Sequence, residues 1–299
     1  MKIRYPNAYI VGAQKSGTTS LFNWIGQHPD VYANPAVKEY PFFTNESLYK
    51  KRLKDFQKLF KKAGSQKIVL GADANLMYVP GAIERLSRLI PDAKIIAILR
   101  NPVNRSFSAW RHAVERGLEK RTFYEAINME LKGQNYPSNS WMGRRMNYLE
   151  HGLYSKQLKN IYAYYQKECV MVLIYEDVIN DPLKSMKEVF CFLDITESFI
   201  PNFSKENVTL GGQRSRLLSS LLYRDRPHGQ FFWDLLRILI PKPFRLRIRM
   251  AIEKFNRIPA PPHPFPEDMR KLLEDYYERE IIDLETLLCR RLDIWRTSQ

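Results

Sequence analysis

The residues with the most distinctive chemistry occupy positions 14–20 (QKSGTTS), directly after an apolar run at 8–13. A strand that passes through a glycine turn into a helix directs backbone N–H groups and the positive end of the helix toward one point. The ammonium of Lys15 adds a full positive charge there. The pattern therefore predicts a binding site for a phosphate group. The residues expected to form this site are Lys15, Ser16, Gly17, Thr18, Thr19 and Ser20.

The residue order in this loop differs from that of the ATP-binding P-loop. In the P-loop, lysine follows the second glycine, and the next hydroxyl residue holds Mg²⁺. Here Lys15 precedes Gly17, and the hydroxyl residues follow that glycine. This order disfavours ATP and favours a different phosphate-bearing donor. The simpler alternative is a strand-to-helix turn with no ligand.

A second candidate anion site follows the apolar run at 94–99. Arg100 stands at the end of this predicted strand, Pro102 suits the first turn of a helix, and Ser108 falls on that helix. A guanidinium group and a hydroxyl group can bind phosphate together. Arg105 could replace Arg100 in this role, or all these side chains could simply cap and solvate the helix. Two such sites at the ends of two strands fit a nucleotide phosphorylated at both its 5′ and 3′ positions.

A third motif places a carboxylate between a lysine and an aromatic pair. Glu39 follows Lys38 and precedes Phe42 by three positions. Packing could fix the orientation of this carboxylate, and its neighbours could tune its pKa, as a general base requires. The alternative, which the spacing alone favours, is a surface Lys–Glu pair ahead of an apolar anchor.

The elements that must position these motifs alternate along the chain. Short β-rich runs are each followed by a segment with helical spacing. The runs lie at 8–13, 67–72, 94–99 and 170–175, and the helical segments include 80–89, 103–116, 154–166 and 182–193. The alternation predicts an α/β fold, P-loop-like, with a mostly parallel central sheet flanked by helices. Ligands bind such sheets at the carboxyl ends of the strands, where both anion motifs lie.

Length and charge suggest how the chain is organised. The 299 residues, 44% of them apolar, suit one domain, with an α/β core at 1–210, a basic region at 211–266 and a C-terminal helix within 267–299 that packs on the core. The net charge of +15 favours an anionic ligand, glycan, lipid surface or nucleic acid. Eleven Lys or Arg stand against three acidic residues at 214–257. This basic, helical region is interpreted as a lid, an acceptor wall or a membrane-surface contact, with a solvated helix pair as the alternative.

Other features restrict the class of protein. The chain has no apolar run of about 18 residues, so we expect no transmembrane segment. Its first apolar run is too short for a signal peptide. Three widely spaced cysteines predict buried thiols in a reducing compartment, which suggests a cytoplasmic protein. The histidines lack the spacing of metal ligands, so we expect no metal.

The three motifs in this order, at 14–20, 38–43 (KEYPFF) and 99–108 (LRNPVNRSFS), resemble the sulfotransferases that use 3′-phosphoadenosine 5′-phosphosulfate (PAPS). The heparan-sulfate-type branch and its bacterial relatives are the most similar. Shorter similarities lie at 152–154, 175–177, 181–182 and 213–216, so the resemblance extends over most of the chain.

The resemblance implies roles for individual residues. The first loop would hold the 5′ end of PAPS, with Lys15 also catalytic, and Glu39 would be the general base. Arg100 and Ser108 would bind the 3′-phosphate. Gly212 and Arg214 would belong to a late loop that closes over the nucleotide. The residues expected to contact the acceptor are Lys38, Phe42 and Asp73.

The implied reaction is transfer of a sulfuryl group from PAPS to a hydroxyl of a small molecule, such as a natural product, or of a glycan. The product would be 3′-phosphoadenosine 5′-phosphate (PAP), and no metal is implied. Residues 73–76 read DANL where glycan-modifying relatives often carry Glu-Lys-Ser-Pro, which puts a glycosaminoglycan acceptor in doubt. The disulfide common in the Golgi enzymes also has no counterpart.

Other function classes stay open at this point. Sulfation of nitrogen is one alternative, and a P-loop kinase, which would need ATP and Mg²⁺, is another. A non-enzymatic binder of nucleic acid or acidic lipid would explain the basic region at 214–257. We do not expect nucleic acid as a partner, because the paired phosphate motifs fit an enzyme better.

Overall fold

The computed structural model describes residues 4–203 and 264–296, together with positions 244, 248, 251, 252 and 255. The expectations for Gly212 and Arg214, and for the basic region as a lid, lie outside the described residues.

A parallel five-stranded sheet forms the centre of the described chain. Its strands are β1 (Ala8–Gly12), β2 (Val31–Ala33), β3 (Ile68–Ala72), β4 (Lys94–Leu99) and β5 (Val170–Ile174). Their order across the sheet is β2-β3-β1-β4-β5, and every neighbouring pair is parallel. Every residue of β1 and β3 is buried, because helices cover both faces of a parallel sheet. The predicted parallel α/β fold is confirmed.

Helices connect the strands and cover the sheet. They are α1 (Thr18–Gly26), α2 (Glu46–Lys51), α3 (Leu53–Lys58), α4 (Ala82–Leu89), α5 (Pro102–Glu115), α6 (Phe123–Leu131), α7 (Gly143–Met146), α8 (Tyr154–Tyr162), α9 (Tyr175–Asn180), α10 (Pro182–Phe192) and α11 (Glu267–Leu288). Asn101 caps α5, since its side chain accepts hydrogen bonds from the N–H groups of Val103 and Asn104.

Alternate residues of β1 point into two different cores. Tyr9 and Val11 pack on one face of the sheet, and Ala8 and Ile10 pack on the other. This alternation follows from the period-2 geometry of a strand. The two cores fix β1 on both sides, and thereby fix the position of the loop that leaves its carboxyl end.

The last helix, α11, packs back onto the core that contains Tyr9. Leu273, Tyr277 and Leu284 are all fully buried along one side of the helix. The hydroxyl of Tyr277 donates a hydrogen bond of 2.8 Å to the carbonyl of Leu149. This buried contact ties the end of the described chain to the segment that precedes α8.

The cysteines differ from expectation. Cys191 and Cys289 are exposed and Cys169 is half-buried, so the prediction of buried thiols was wrong. Cys191 lies on the solvent side of α10, and Cys289 caps the exposed end of α11. In the part of the chain that the structure describes, no helix is both long and apolar enough to cross a membrane.

The Tyr277 hydrogen bond predicts a measurable loss of stability. Tyr277→Phe removes one of the two hydrogen bonds that the carbonyl of Leu149 accepts, while the bond from the N–H of Gly152 at 2.9 Å stays, so the loss in the free energy of unfolding should be about 0.5–1.5 kcal/mol. Tyr276→Phe is the matched control, because the Tyr276 side chain is partly exposed and should change stability little. Urea denaturation measures both variants. Equal stability of Tyr277→Phe and the wild type would contradict the docking of α11 described above.

Candidate functional site

The loop after β1 presents uncapped backbone N–H groups at the start of α1. Lys15 and Gly17 both have left-handed backbone angles, with φ of 66° and 86°. Gly17 precedes α1 as its N-cap, and no side chain caps the helix there. A Cβ atom at Gly17 would lie 2.9 Å from the ring of Tyr175, so both the backbone angle and the close approach require glycine. The free N–H groups of the first turn can therefore bind an anion.

Lys15 lies in strongly positive surroundings. Burial, and then the positive charge of Arg116, lowers the pKa of its ammonium from 10.5 to about 8. Arg100 and Arg111 act in the same direction, whereas the carboxylate of Glu115 opposes them. Three arginines thus act on Lys15, and one carboxylate, that of Glu115, partly offsets them. A bound anion would relieve this repulsion.

Arg100 lies directly beside this loop. Its Nη1 donates a hydrogen bond of 3.3 Å to the carbonyl of Lys15, and its guanidinium carbon lies 4.8 Å from the centre of the Tyr175 ring. The hydroxyl of Tyr154 donates to the carbonyl of Arg100 at 2.9 Å. The Nε of Arg100 is buried and has no hydrogen-bond partner. The two anion motifs therefore meet at one edge of the sheet, and Arg100 keeps an unused donor.

The other residues of the second motif divide between the site and the core. Ser108 lies in the second turn of α5 and is partly exposed. Arg105 is fully buried and donates a hydrogen bond to the carbonyl of Tyr148. Arg105 is thus a core residue, whereas Arg100 lies beside the loop at Lys15.

Glu176 holds the segment at Arg100 in place. The N–H of Asn101 donates to Glu176 Oε1 at 3.0 Å, and the indole of Trp295 donates to Glu176 Oε2 at 2.8 Å. The contact to Asn101 joins the ends of β4 and β5, which a sequence pattern of neighbouring residues does not reveal.

The ammonium of Lys38 connects the first loop to Glu39. It donates hydrogen bonds to the hydroxyls of Thr18 and Thr19, at 3.0 and 2.9 Å, and to Glu39 Oε1 at 3.0 Å. The side chain of Lys38 is 18% exposed and that of Glu39 is 40% exposed. Glu39 therefore lies beside the anion-binding loop with a carboxylate that solvent can reach. Lys38 faces the loop rather than open space where an acceptor would bind.

Asp73 is a second carboxylate close to Glu39. Glu39 forms an isolated parallel β-bridge with Ala72, the last residue of β3. Asp73 is buried, and it accepts hydrogen bonds from the hydroxyl of Thr44 at 2.8 Å and from the N–H of Asn75 at 3.0 Å. Burial, and then the negative charge of Glu39, raises the pKa of Asp73 to about 6. Both oxygens of Asp73 thus bind the protein itself, not an open surface.

Phe42 lies in the core instead of at the site. It is fully buried, and its ring stacks on that of Phe56 with centroids 4.4 Å apart. Its ring also packs edge-on against Phe43. The expected contact between Phe42 and an acceptor is not available in this structure, because no surface of the ring is exposed. The aromatic pair anchors the segment that carries Glu39.

Gln14 and Arg144 extend the site; Gln14 belongs to the first sequence motif but was given no role there, and Arg144 was missed. The Gln14 amide donates to Asn75 Oδ1 at 3.2 Å and to the carbonyl of Arg144 at 2.8 Å. Arg144 Nη1 donates to the carbonyl of Thr44 at 3.3 Å. These contacts join segments that are far apart in sequence, so no local pattern indicates them. Among the residues that the structure describes, no cluster of three or more His, Cys, Asp or Glu is arranged to hold a metal ion.

Comparisons with known proteins agree with this geometry. Residues 6–209 match the family model of the sulfotransferase domain. The chain is 28% identical over 210 residues to bifunctional heparan sulfate N-deacetylase/N-sulfotransferase 4 of Mus musculus, which covers 67% of this chain but only 23% of that protein. It is 25% identical to human heparan sulfate glucosamine 3-O-sulfotransferase 6, over 85% of this chain and 70% of that protein.

A solved structure has a similar fold over nearly the whole chain. The sulfotransferase from Alicyclobacillus acidocaldarius superposes with a TM-score of 0.70 and 25% identity, covering 99% of this chain and 100% of that chain. The loop at Lys15, the adjoining Arg100 and the parallel sheet thus occur within a matched family model that extends over most of the described chain. The chain belongs to the sulfotransferase family.

Proposed function

We propose that this enzyme transfers a sulfuryl group from PAPS to a hydroxyl group of a small molecule or a glycan. The observation that carries this proposal is the pair of anion-binding elements at the ends of β1 and β4. The loop at Lys15 and the guanidinium of Arg100 are joined by a hydrogen bond of 3.3 Å. Their proximity suits one ligand with two phosphate groups better than two separate anions.

The residues of the site fit PAPS. The uncapped N–H groups of α1, with the side chains of residues 15–20, would hold the 5′ end of the nucleotide. The buried Nε of Arg100, which lacks a partner, would bind the 3′-phosphate with Ser108. We propose the same nucleotide-binding role for Gly212 and Arg214.

The chemistry needs one proton acceptor and stabilisation of one leaving group. PAPS, when bound, supplies a sulfur atom to which the acceptor oxygen bonds, while the bond from sulfur to the 5′-phosphate oxygen breaks and PAP leaves with that electron pair. Glu39 takes the proton from the acceptor hydroxyl, because its carboxylate is accessible and lies beside the loop. Lys15 and the N–H groups of α1 stabilise the negative charge on the departing phosphate.

The segment that follows β3, at 73–76, contributes no positively charged side chain to the acceptor side of the site. Residues 73–76 read DANL where glycan-modifying relatives often carry Glu-Lys-Ser-Pro, so the lysine of those relatives is absent here. Asp73 is buried beside Glu39. The curated relatives are named for heparan sulfate, and this chain spans 23% of the first of them and 70% of human 3-O-sulfotransferase 6. We therefore favour a small-molecule acceptor over a sulfated polysaccharide, with an amine in place of the hydroxyl as the alternative acceptor group.

Glu39→Gln tests the proposed base. Because glutamine cannot take the proton, turnover should fall about 10²–10⁴-fold, while binding of PAP should change less than about twofold. Incubation with labelled PAPS and fractionated extract of the source organism, followed by mass analysis of the labelled product, measures turnover. Glu46→Gln, an exposed glutamate paired with Lys50 on α2, is the control and should keep full activity. Undiminished turnover by Glu39→Gln would remove Glu39 from this role.

The lowered pKa of Lys15 predicts how PAP binding depends on pH. Lys15 in the free protein loses its proton near pH 8, and a bound phosphate favours the charged form. The affinity for PAP should therefore be highest near pH 7, where Lys15 is charged and the phosphates, with a second pKa of about 6, are ionised, and should fall by up to about tenfold per pH unit above pH 8. Calorimetry should also register proton uptake on binding in that range. Lys15→Ala should bind PAP more weakly and lose this pH dependence, and a flat wild-type profile from pH 7 to 9.5 would contradict the assignment.

Arg100→Gln tests the proposed 3′-phosphate site. The wild type should bind PAP more tightly than adenosine 5′-phosphate, which lacks the 3′-phosphate, and the variant should lose about tenfold or more of this preference. Arg88→Gln is the control, because Arg88 lies on α4 in an exposed pair with Glu84. If Arg100→Gln weakened both nucleotides equally, the guanidinium would not be the group that recognises the 3′-phosphate.

A further inference from the structure

The three hydrogen bonds of Lys38 use all the donors of its ammonium group. An ammonium group has three N–H donors and no acceptor. In Lys38 two of them go to the hydroxyls of Thr18 and Thr19, and the third goes to Glu39. Every distance lies between 2.9 and 3.0 Å. A single cation therefore joins the anion-binding loop to the proposed base.

This arrangement differs from the surface ion pairs of the same chain. Lys50 and Glu46 pair along the outside of α2 with 67% and 65% of their side chains exposed. Exposed pairs of this kind contribute little to stability. The side chain of Lys38 is only 18% exposed, and it is held by the first two residues of α1. Its ammonium thus lies at the helix start, where an anionic ligand would come closest to it.

We infer that Lys38 binds the sulfonate group of the donor, and that it holds Glu39 in an ion pair until the donor is present. The inference rests on the proposed function. The sulfonate is an anion, so it competes with the Glu39 carboxylate for the same ammonium donor. When Lys38 turns to the sulfonate, Glu39 Oε1 loses its hydrogen bond and becomes free to accept a proton. The base then becomes available when the group to be transferred is in place.

If Lys38 binds the sulfonate, it should strengthen the binding of PAPS more than that of PAP. PAP has both phosphates of the nucleotide but lacks the sulfonate, so it should not compete with Glu39 for the ammonium. The affinity ratio of PAPS to PAP, measured by calorimetry on the full chain without acceptor, therefore reports on the contact between Lys38 and the sulfonate. This ratio does not depend on turnover, and a change that only loosens the loop would weaken both ligands together.

The experiment is a double-mutant cycle on this ratio. Lys38→Gln should lower the ratio about tenfold, because a charge-assisted hydrogen bond is lost. Glu39→Gln should raise it a few-fold, because the competitor for the ammonium is gone. In the double variant Lys38→Gln/Glu39→Gln, the rise of the ratio caused by Glu39→Gln should disappear, because the ammonium for which Glu39 and the sulfonate compete is absent. Lys38→Arg should recover part of the ratio, and Lys50→Gln, which removes a lysine from the exposed pair on α2, should leave it unchanged.

Two outcomes would overturn the inference while leaving the proposed function intact. One is an equal loss of affinity for PAPS and PAP in Lys38→Gln, which would limit Lys38 to shaping the loop. The other is strict additivity, in which Glu39→Gln raises the affinity ratio equally with and without Lys38. In that case Glu39 and the sulfonate would not compete for the Lys38 ammonium. Failure of the wild type to bind either nucleotide would instead contradict the proposed function itself.

Discussion

Positive charge gathers at the carboxyl ends of β1 and β4, and the contacts around the candidate site must hold it there. Lys15 lies buried near several arginines, and desolvation, followed by repulsion from Arg116, lowers its pKa to about 8. Such a cluster costs free energy in the unliganded protein, and an anion with more than one charge is the partner that best offsets this cost. The uncapped start of α1 adds partial positive charge at the same place.

The surrounding contacts hold these cations together against their repulsion. Gly17 lets the loop approach the ring of Tyr175, and that ring also lies against the guanidinium of Arg100. Glu176 fixes Asn101, the residue after Arg100, by accepting its N–H hydrogen bond. Because most of these partners come from different strands, the parallel sheet is what brings them together. The candidate site is therefore a property of the packed carboxyl ends of the strands more than of the loop alone.

Much of the fold could be predicted from the sequence, because buried parallel strands and amphipathic helices have strong local patterns. The strand at Lys94–Leu99 has the predicted bounds, whereas Val31–Ala33 was missed because three residues carry almost no periodic signal. The side-chain geometry was less accessible. Phe42 is a core residue and Lys38 faces the loop, since their orientation depends on packing partners elsewhere in the chain. The contact of Gln14 with the carbonyl of Arg144 joins residues 130 positions apart.

The central claim is that one doubly phosphorylated nucleotide occupies both anion-binding elements. A crystal structure of the full chain with PAP tests it most directly. The 5′-phosphate should lie against the first-turn N–H groups of α1 and the ammonium of Lys15, and the 3′-phosphate should lie on the guanidinium of Arg100. Density for PAP at a different surface, or a bound PAP that leaves either Lys15 or Arg100 without a phosphate contact, would contradict it.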